Sequence, residues 1–357
     1  MLNNILIKFG LEPENYHIQK FGSGLINSTW KVSGREKPGQ FILQRINKAV
    51  FKSPEDIAAN ISKIGAYLQL HQPEYLFVAP LPATDGKNMV TDQDEYYRLS
   101  PFVKGSVTID TVHSTQEAFE ASRQFARFTH LLADFEVDGL AYTLSGFHDL
   151  TTRHEQFAEA LNTADSELKL NAQVVIAKAN LYQDIALTFG RIVEDELLPL
   201  RVIHHDTKIS NVLFDESRRG LCVIDLDTVM PGYYISDLGD MMRTYLSPYN
   251  EEEQDLAKIG VREDIFEAIV EGYFSEMGST ITTMELNHFV YAGKFMIYMQ
   301  ALRFLTDYLN GDVYYHTSYP AHNLVRAKNQ FALLDSYCNA EQGFQQVLDG
   351  IVTRLAR

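Results

Sequence analysis

The sequence predicts an α+β protein of two lobes, strand-rich over residues 1–103 and mainly helical over residues 104–357. Three observations carry that reading. Strand-like runs (TWKV, FILQRI, LFVAP, EYYRLSPFV) cluster in the first hundred residues. Helical periodicity dominates beyond Lys104. The chain has 357 residues and 45% hydrophobic content, enough to fill one large domain or two lobes.

The elements follow in order. TWKV and FILQRI read as neighbouring strands joined by the turn SGREKPG. A helix is expected next: Ser53 suits the N-cap, Pro54 the first helical position, and Ile57, Ile61, Ile64 and Leu68 recur at helical spacing. KNMV and EYYRLSPFV are strand-like. STQEAFEASRQFARFTHLLAD is amphipathic, opened by Ser114 with Glu117 in capping-box spacing. Further helices are expected over 151–162, 171–198, 251–277, 284–309 and 321–337. Among them lie NVLF and LCVID, separated by the turn sequence DESRRG, which read as a small hairpin.

Composition excludes several classes. A formal net charge of −16 lacks the electrostatic footprint of a nucleic-acid binder. Cys222 and Cys338 form neither a disulfide framework nor a zinc spacing and are expected to be buried free thiols. The N-terminus shows no charged n-region or cleavage site, and FVYAGKFMIYMQALRFL is too short and too charged to span a bilayer. A cytoplasmic protein acting on small molecules, with neither membrane nor nucleic acid as partner, is expected. Oligomeric state is left open.

Between two apolar runs stands HHDTKISN, residues 204–211, far more polar than a turn requires. The order is H-x-D-x-x-x-x-N, followed after the expected hairpin by Asp225 in VIDLD. Metal-dependent phosphoryl transfer needs this set: one carboxylate to meet the attacking hydroxyl, and a carboxylate and an amide oxygen to hold Mg²⁺ against phosphates. Asp206 takes the position of the base and His204 that of a structural histidine. Lys208 falls where protein kinases place a lysine near the transferring phosphate. Asn211 and Asp225 take the metal positions. D-x-x-x-x-N alone is common by chance, so the joint pattern carries the assignment.

The N-terminal lobe should supply a cover for the phosphates of ATP. FGSGLINSTWKV offers Gly22, Ser23 and Gly24 in a strand–turn–strand setting, with Asn27 where a third glycine usually stands. The strand FILQRI has no lysine, so Gln44 or Arg45 stands near the place of the phosphate-gripping cation, and Arg45 is the candidate. Glu55 or Asp56 would partner it.

VIHHDTKISNVLFD, VIDLDTVMPG, DLGDMMR and ALRFLTDYLNGDVYYHTSYPAHNLVRA resemble the aminoglycoside-phosphotransferase-like kinases, the small-molecule branch of the protein-kinase-like fold, and in particular its sugar-kinase subgroup. The resemblance implies a bilobal protein-kinase-like fold and phosphoryl transfer from ATP, with Mg²⁺, to the anomeric hydroxyl of N-acetylglucosamine or N-acetylgalactosamine. It implies Asp206 as base and Asn211 and Asp225 on Mg²⁺, with Asp227 a further candidate. Asp206, Thr228, Arg303 and Tyr314 would line the sugar site. Residue reading alone favours a structural role for Arg303, such as pairing with Asp307 one helical turn on. Asp237 and Asp240 are expected to support the polar loop. The same fold also serves other acceptors, such as homoserine, choline or an aminoglycoside. A non-catalytic nucleotide- or sugar-binding regulator is a third reading. Retention of Asp206, Asn211 and Asp225 argues against it.

Overall fold

Alternation along the antiparallel strands sets Val32, Leu43, Tyr97 and Leu99 on one face of the N-terminal sheet and Thr29, Gln44 and Arg98 on the other. The computed structural model describes residues 2–22, 26–35 and 39–355. They divide into two compact units: residues 1–107, 134–145 and 213–231, and residues 108–133, 146–212 and 232–357.

The first unit opens with α1 (Leu2–Lys8), followed by β1 (Tyr16–Lys20), β2 (Ser28–Gly34), β3 (Gln40–Arg45), α2 (Pro54–His71), β4 (Val90–Asp92) and β5 (Glu95–Pro101). The sheet order is β1-β2-β3-β5-β4. Val32, Leu43, Tyr97 and Leu99 pack with Ile5, Leu6 and Phe9 of α1 in one apolar core. Thr29, Gln44 and Arg98 are direct cross-strand partners. Period-two geometry puts these three on the opposite face from that core. LFVAP forms no strand: Pro80 and Pro82 have no N–H to give a ladder, and the segment meets β5 through a backbone bond from the Leu81 N–H to the Leu99 carbonyl (2.7 Å).

Asn60 of α2 explains why remote segments join this unit. It is 1% exposed. Its amide donates to the carbonyls of Ala141 (2.8 Å) and Val229 (3.1 Å) and accepts from the Ala141 N–H (2.9 Å). Strands Val212–Phe214 and Gly220–Val223 form the expected hairpin.

The second unit is helical: α3 (Thr115–Leu131), α4 (Leu150–Thr163), α5 (Ser166–Leu181), α6 (Asp184–Glu194), α7 (Tyr234–Tyr245), α8 (Glu263–Met277), α9 (Thr283–Asn287), α10 (Phe289–Leu309) and α11 (His322–Leu355). Ser114 caps α3, accepting from the Glu117 N–H. Helix α10 is buried along almost its whole length and packs against α4, α7 and α11. A Cβ at Gly239 of α7 would overlap the Ala292 carbonyl of α10, so this contact requires glycine.

Four helix expectations are corrected: the stretch 284–309 is interrupted at His288, between α9 and α10, and the helix expected over 321–337 runs on to Leu355. The stretch 171–198 breaks after Leu181, where the Tyr182 hydroxyl donates to Asp335 of α11 (2.8 Å). Within 251–277 the helix starts only at Glu263. Ahead of it the Asn250, Glu253 and Asp255 side chains accept from nearby backbone N–H groups, a local alternative that competes with helix.

Candidate active site

The polar loop 204–211 lies in the second unit and is held from several directions. Its first residue, His204, is fully buried and packs edge-on against Phe125 (5.1 Å) and Phe128 (6.5 Å) of α3. His204 Nδ1 accepts from the Asp206 N–H (3.3 Å). The carboxylate of Asp237 accepts from the N–H groups of His204 (2.8 Å) and His205 (2.6 Å). That of Asp240 accepts from the Thr207 N–H (2.9 Å). Both acids lie within α7, behind its first residues, so they anchor the loop and do not cap the helix. His205 itself is left-handed, with φ 65°. A Cβ at Gly232 would strike its ring, 2.6 Å from Nε2.

This clamp presents Asp206. Lys208 Nζ lies 2.7 Å from Asp206 Oδ2, and Asn211 Nδ2 donates to Oδ2 and to the Asp206 carbonyl, 2.9 Å each. Burial pushes the Asp206 carboxyl up, but Lys208, His204 and Asn211 outweigh it and hold it below its ordinary value. It is therefore ionised at neutral pH and able to accept a proton.

From His205 a line of rings runs away from the loop. His205 and His148 are 5.3 Å apart, and His148 stacks on Phe147 at 4.3 Å. The Arg303 guanidinium lies 5.3 Å from the Phe147 ring and 5.5 Å from the Tyr315 ring. Burial, and then the neighbouring His205 and the guanidiniums of Arg303, Arg243 and Arg153, hold His148 well below its ordinary value, so it is neutral. Arg303 donates to Gln300 (3.1 Å). The structural alternative, a pairing with Asp307, is not formed: both Asp307 oxygens accept from other donors. Among the described residues neither Arg303 nor Arg153 has a carboxylate within ion-pair distance. Tyr314 is 68% exposed and meets Tyr315 edge-on at 4.8 Å. The pattern reading missed Phe147, His148 and Tyr315. The paired tyrosines in DVYYH were the one available signal.

The first unit carries the remaining expected residues. Gly22 is left-handed, φ 77°, a conformation that favours glycine. Ser23 and Gly24 lie outside the described residues. Arg45 donates to Ser28 Oγ (3.3 Å) and stands on the other sheet face from Gln44. Glu55 accepts from Tyr96, and among the described residues Arg45 forms no ion pair with Glu55 or Asp56. The cation aligned with Gln44 is Arg98, which pattern reading missed because it lies on a different strand. Its Nε donates to Gln44 Oε1 (2.9 Å), and its Nη1 pairs with Asp227. Asn27, just past the glycine turn, donates to the other Asp227 oxygen (2.7 Å). Asp227 is 1% exposed. Both its oxygens are engaged, unlike those of a ligand waiting for a cation. Asp225 is left-handed, φ 62° and ψ 57°. Thr228 is buried in the single turn that follows.

Among the described residues no group of three or more His, Cys, Asp or Glu side chains forms a metal cluster. A kinase-type Mg²⁺ site does not need one, because phosphate and water oxygens complete it. Asn211 fits such a site: its amide nitrogen is committed to Asp206, which leaves Oδ1 as the acceptor.

The loop clamp has a pH signature. Burial raises the Asp237 carboxyl to about 6. Its contribution to stability is full below the ordinary carboxylate value and is lost as pH rises through about 6. Loop alignment runs the other way, since only the ionised form accepts both N–H groups with full strength. An acid limb near pH 6 is expected in kcat, flattened in Asp237→Asn. A profile unchanged by that substitution would remove Asp237 from loop alignment.

A helical unit that carries a clamped carboxylate with a lysine and an asparagine on it, and a sheet unit that carries a glycine turn, are the parts of a phosphotransferase of protein-kinase-like fold. Residues 17–265 match the Phosphotransferase enzyme family, and the chain belongs to that family. Its structure is similar to that of a microcompartment-associated aminopropanol kinase (TM-score 0.67, 17% identity, 95% of this chain and 97% of that one). It is also similar to a spectinomycin phosphotransferase bound to ADP and spectinomycin (0.61, 13%, 96% and 97%). A choline kinase from Cryptosporidium parvum Iowa II is a third (0.58, 13%, 98% and 98%). At these identities the likeness establishes the fold. Among the described residues no helix is long and apolar enough to cross a membrane.

Proposed function

We propose that this chain is an N-acetylhexosamine 1-kinase, transferring the γ-phosphoryl group of ATP to the anomeric hydroxyl of a neutral amino-sugar derivative. The observation that supports this over a cationic acceptor is the line from His205 to Tyr315. It brings two guanidiniums without carboxylate partners and two aromatic rings together. Rings suit the apolar faces of a sugar, and a guanidinium suits hydroxyl and amide oxygens. Arg153 and Arg303 already repel each other: burial and then Arg303 lower the Arg153 value. An ammonium acceptor would add a third positive charge there.

In this reading Asp206 accepts the proton of the attacking hydroxyl, and Lys208 offsets charge on the transferring phosphate. Mg²⁺, when bound, neutralises phosphate charge, and Asn211 and Asp225 would hold it. We assign Asp227 to orienting its loop, and Arg98 with Gln44, in place of Arg45, to the phosphate side of the sheet. We assign Arg303 and Tyr314, and with them Tyr315, to the acceptor site; Thr228 is proposed for it from the sequence resemblance alone. We assign the glycine turn that begins at Gly22 to the phosphate side; Ser23 and Gly24, named for the same role from the sequence, lie outside the described residues.

The second reading is an amino-alcohol or aminoglycoside kinase, favoured by the names of the structural neighbours. Coupled ADP release with N-acetylglucosamine, N-acetylgalactosamine, choline, ethanolamine and homoserine separates the two. Phosphorus and proton NMR of the product then identifies the phosphorylated position. Turnover confined to the amines would overturn the sugar reading. Arg303→Ala is expected to raise the acceptor KM about tenfold or more and leave the ATP KM within about twofold. An unchanged acceptor KM would return Arg303 to a packing role.

A further inference from the structure

Asp307 stands in the last turn of α10, where the helix dipole disfavours a carboxylate. It is 4% exposed, and it accepts four hydrogen bonds. Oδ1 takes the N–H groups of Val313 (3.0 Å) and Tyr314 (2.8 Å), and Oδ2 takes the N–H of Tyr315 (2.9 Å) and the Asn323 amide (2.9 Å). The chain turns around it through two left-handed residues, Gly311 (φ 85°) and Asp312 (φ 59°). The Asp312 N–H returns to the Asp307 carbonyl (2.8 Å). Asn323, fully buried, also bridges to Asp312 (2.8 Å).

A side chain so placed contributes little to helix propensity and much to the shape of one loop. That loop carries Tyr314 and Tyr315. Tyr315 packs on Phe304 at 4.8 Å and beside the Arg303 guanidinium. We infer that Asp307 is a positioning residue for acceptor binding: its carboxylate organises residues 311–315 so that the tyrosine pair and Arg303 form one preorganised surface for the acceptor. The inference rests on the acceptor site proposed above. It adds the residue that shapes that site without touching the ligand. Preorganisation of this kind appears in acceptor affinity, because a loosened loop must be ordered again at each binding event.

Asp307→Asn keeps the size of the side chain and turns one acceptor into a donor facing N–H groups. It is expected to raise the acceptor KM about tenfold or more and to leave the ATP KM within about twofold. Chymotrypsin should cut faster at Tyr314 or Tyr315 while the variant is still folded by circular dichroism. Should Asp307→Asn fail to fold, Asn323→Ser removes one of the four bonds and is expected to raise the acceptor KM about threefold. An acceptor KM unmoved in the folded variant overturns the inference, whatever the cleavage rate. Arg303→Ala, measured alongside, separates the two failures. If neither variant moves the acceptor KM, the acceptor site itself is misplaced. If only Arg303→Ala moves it, the role of Asp307 alone is wrong.

Discussion

Asp206→Asn is expected to lower kcat by about 10²–10⁴-fold and to leave the Kd for ATP within about twofold. The substitution is nearly isosteric. The contact of Asn211 to the residue 206 carbonyl and the contact of its N–H to His204 survive. The loop is held by Asp237 and Asp240 on α7, which the change does not touch. What is lost is the anion beside Lys208, which receives the proton of the attacking hydroxyl. ATP titration by calorimetry and initial rates with the acceptor from the substrate panel measure the two halves separately. Turnover within a few-fold of the parent would remove Asp206 from the base position. Loss of ATP binding would make it structural.

Arg98→Met is expected to destabilise the protein by about 3–5 kcal/mol. The Asp227 side chain is 2% exposed and the Arg98 side chain 5%, so the pair is screened little by water. Removing the guanidinium leaves a buried carboxylate with Asn27 as its remaining amide donor and strands Gln44 Oε1 on the sheet. Breaking one side of a buried pair costs far more than replacing both. The double variant Arg98→Met, Asp227→Leu should therefore recover much of the loss in urea denaturation. A single-variant loss below about 1 kcal/mol would mean that water reaches the pair, and its proposed hold on the Asp225 loop would fall.

How far the sequence reveals this site depends on chain distance. His204, Asp206, Lys208 and Asn211 fall within eight consecutive residues, so their spacing is itself geometric information. The Ser114 and Pro54 helix starts were legible for the same reason: a cap acts on its own first turn. Arg98 was not legible. It meets Gln44 by sheet register, and register is set by strand pairing that period-two patterning does not specify. Phe147, His148 and Tyr315 were hidden likewise, in irregular segments brought together by the packing of helices α4 and α10.

Sequence alone therefore determined the α+β class, the chemistry of the loop at 204–211, and the expectation of phosphoryl transfer. These rest on local order: which residue types stand within a turn or two of one another. Tertiary structure alone decided that Asp307 serves a loop and not Arg303, that Asp227 belongs to Arg98, and that residues 134–145 and 213–231 join the N-terminal strands. The reason is physical. A buried polar group must find its partner wherever packing puts one, and packing brings together residues that lie far apart along the chain.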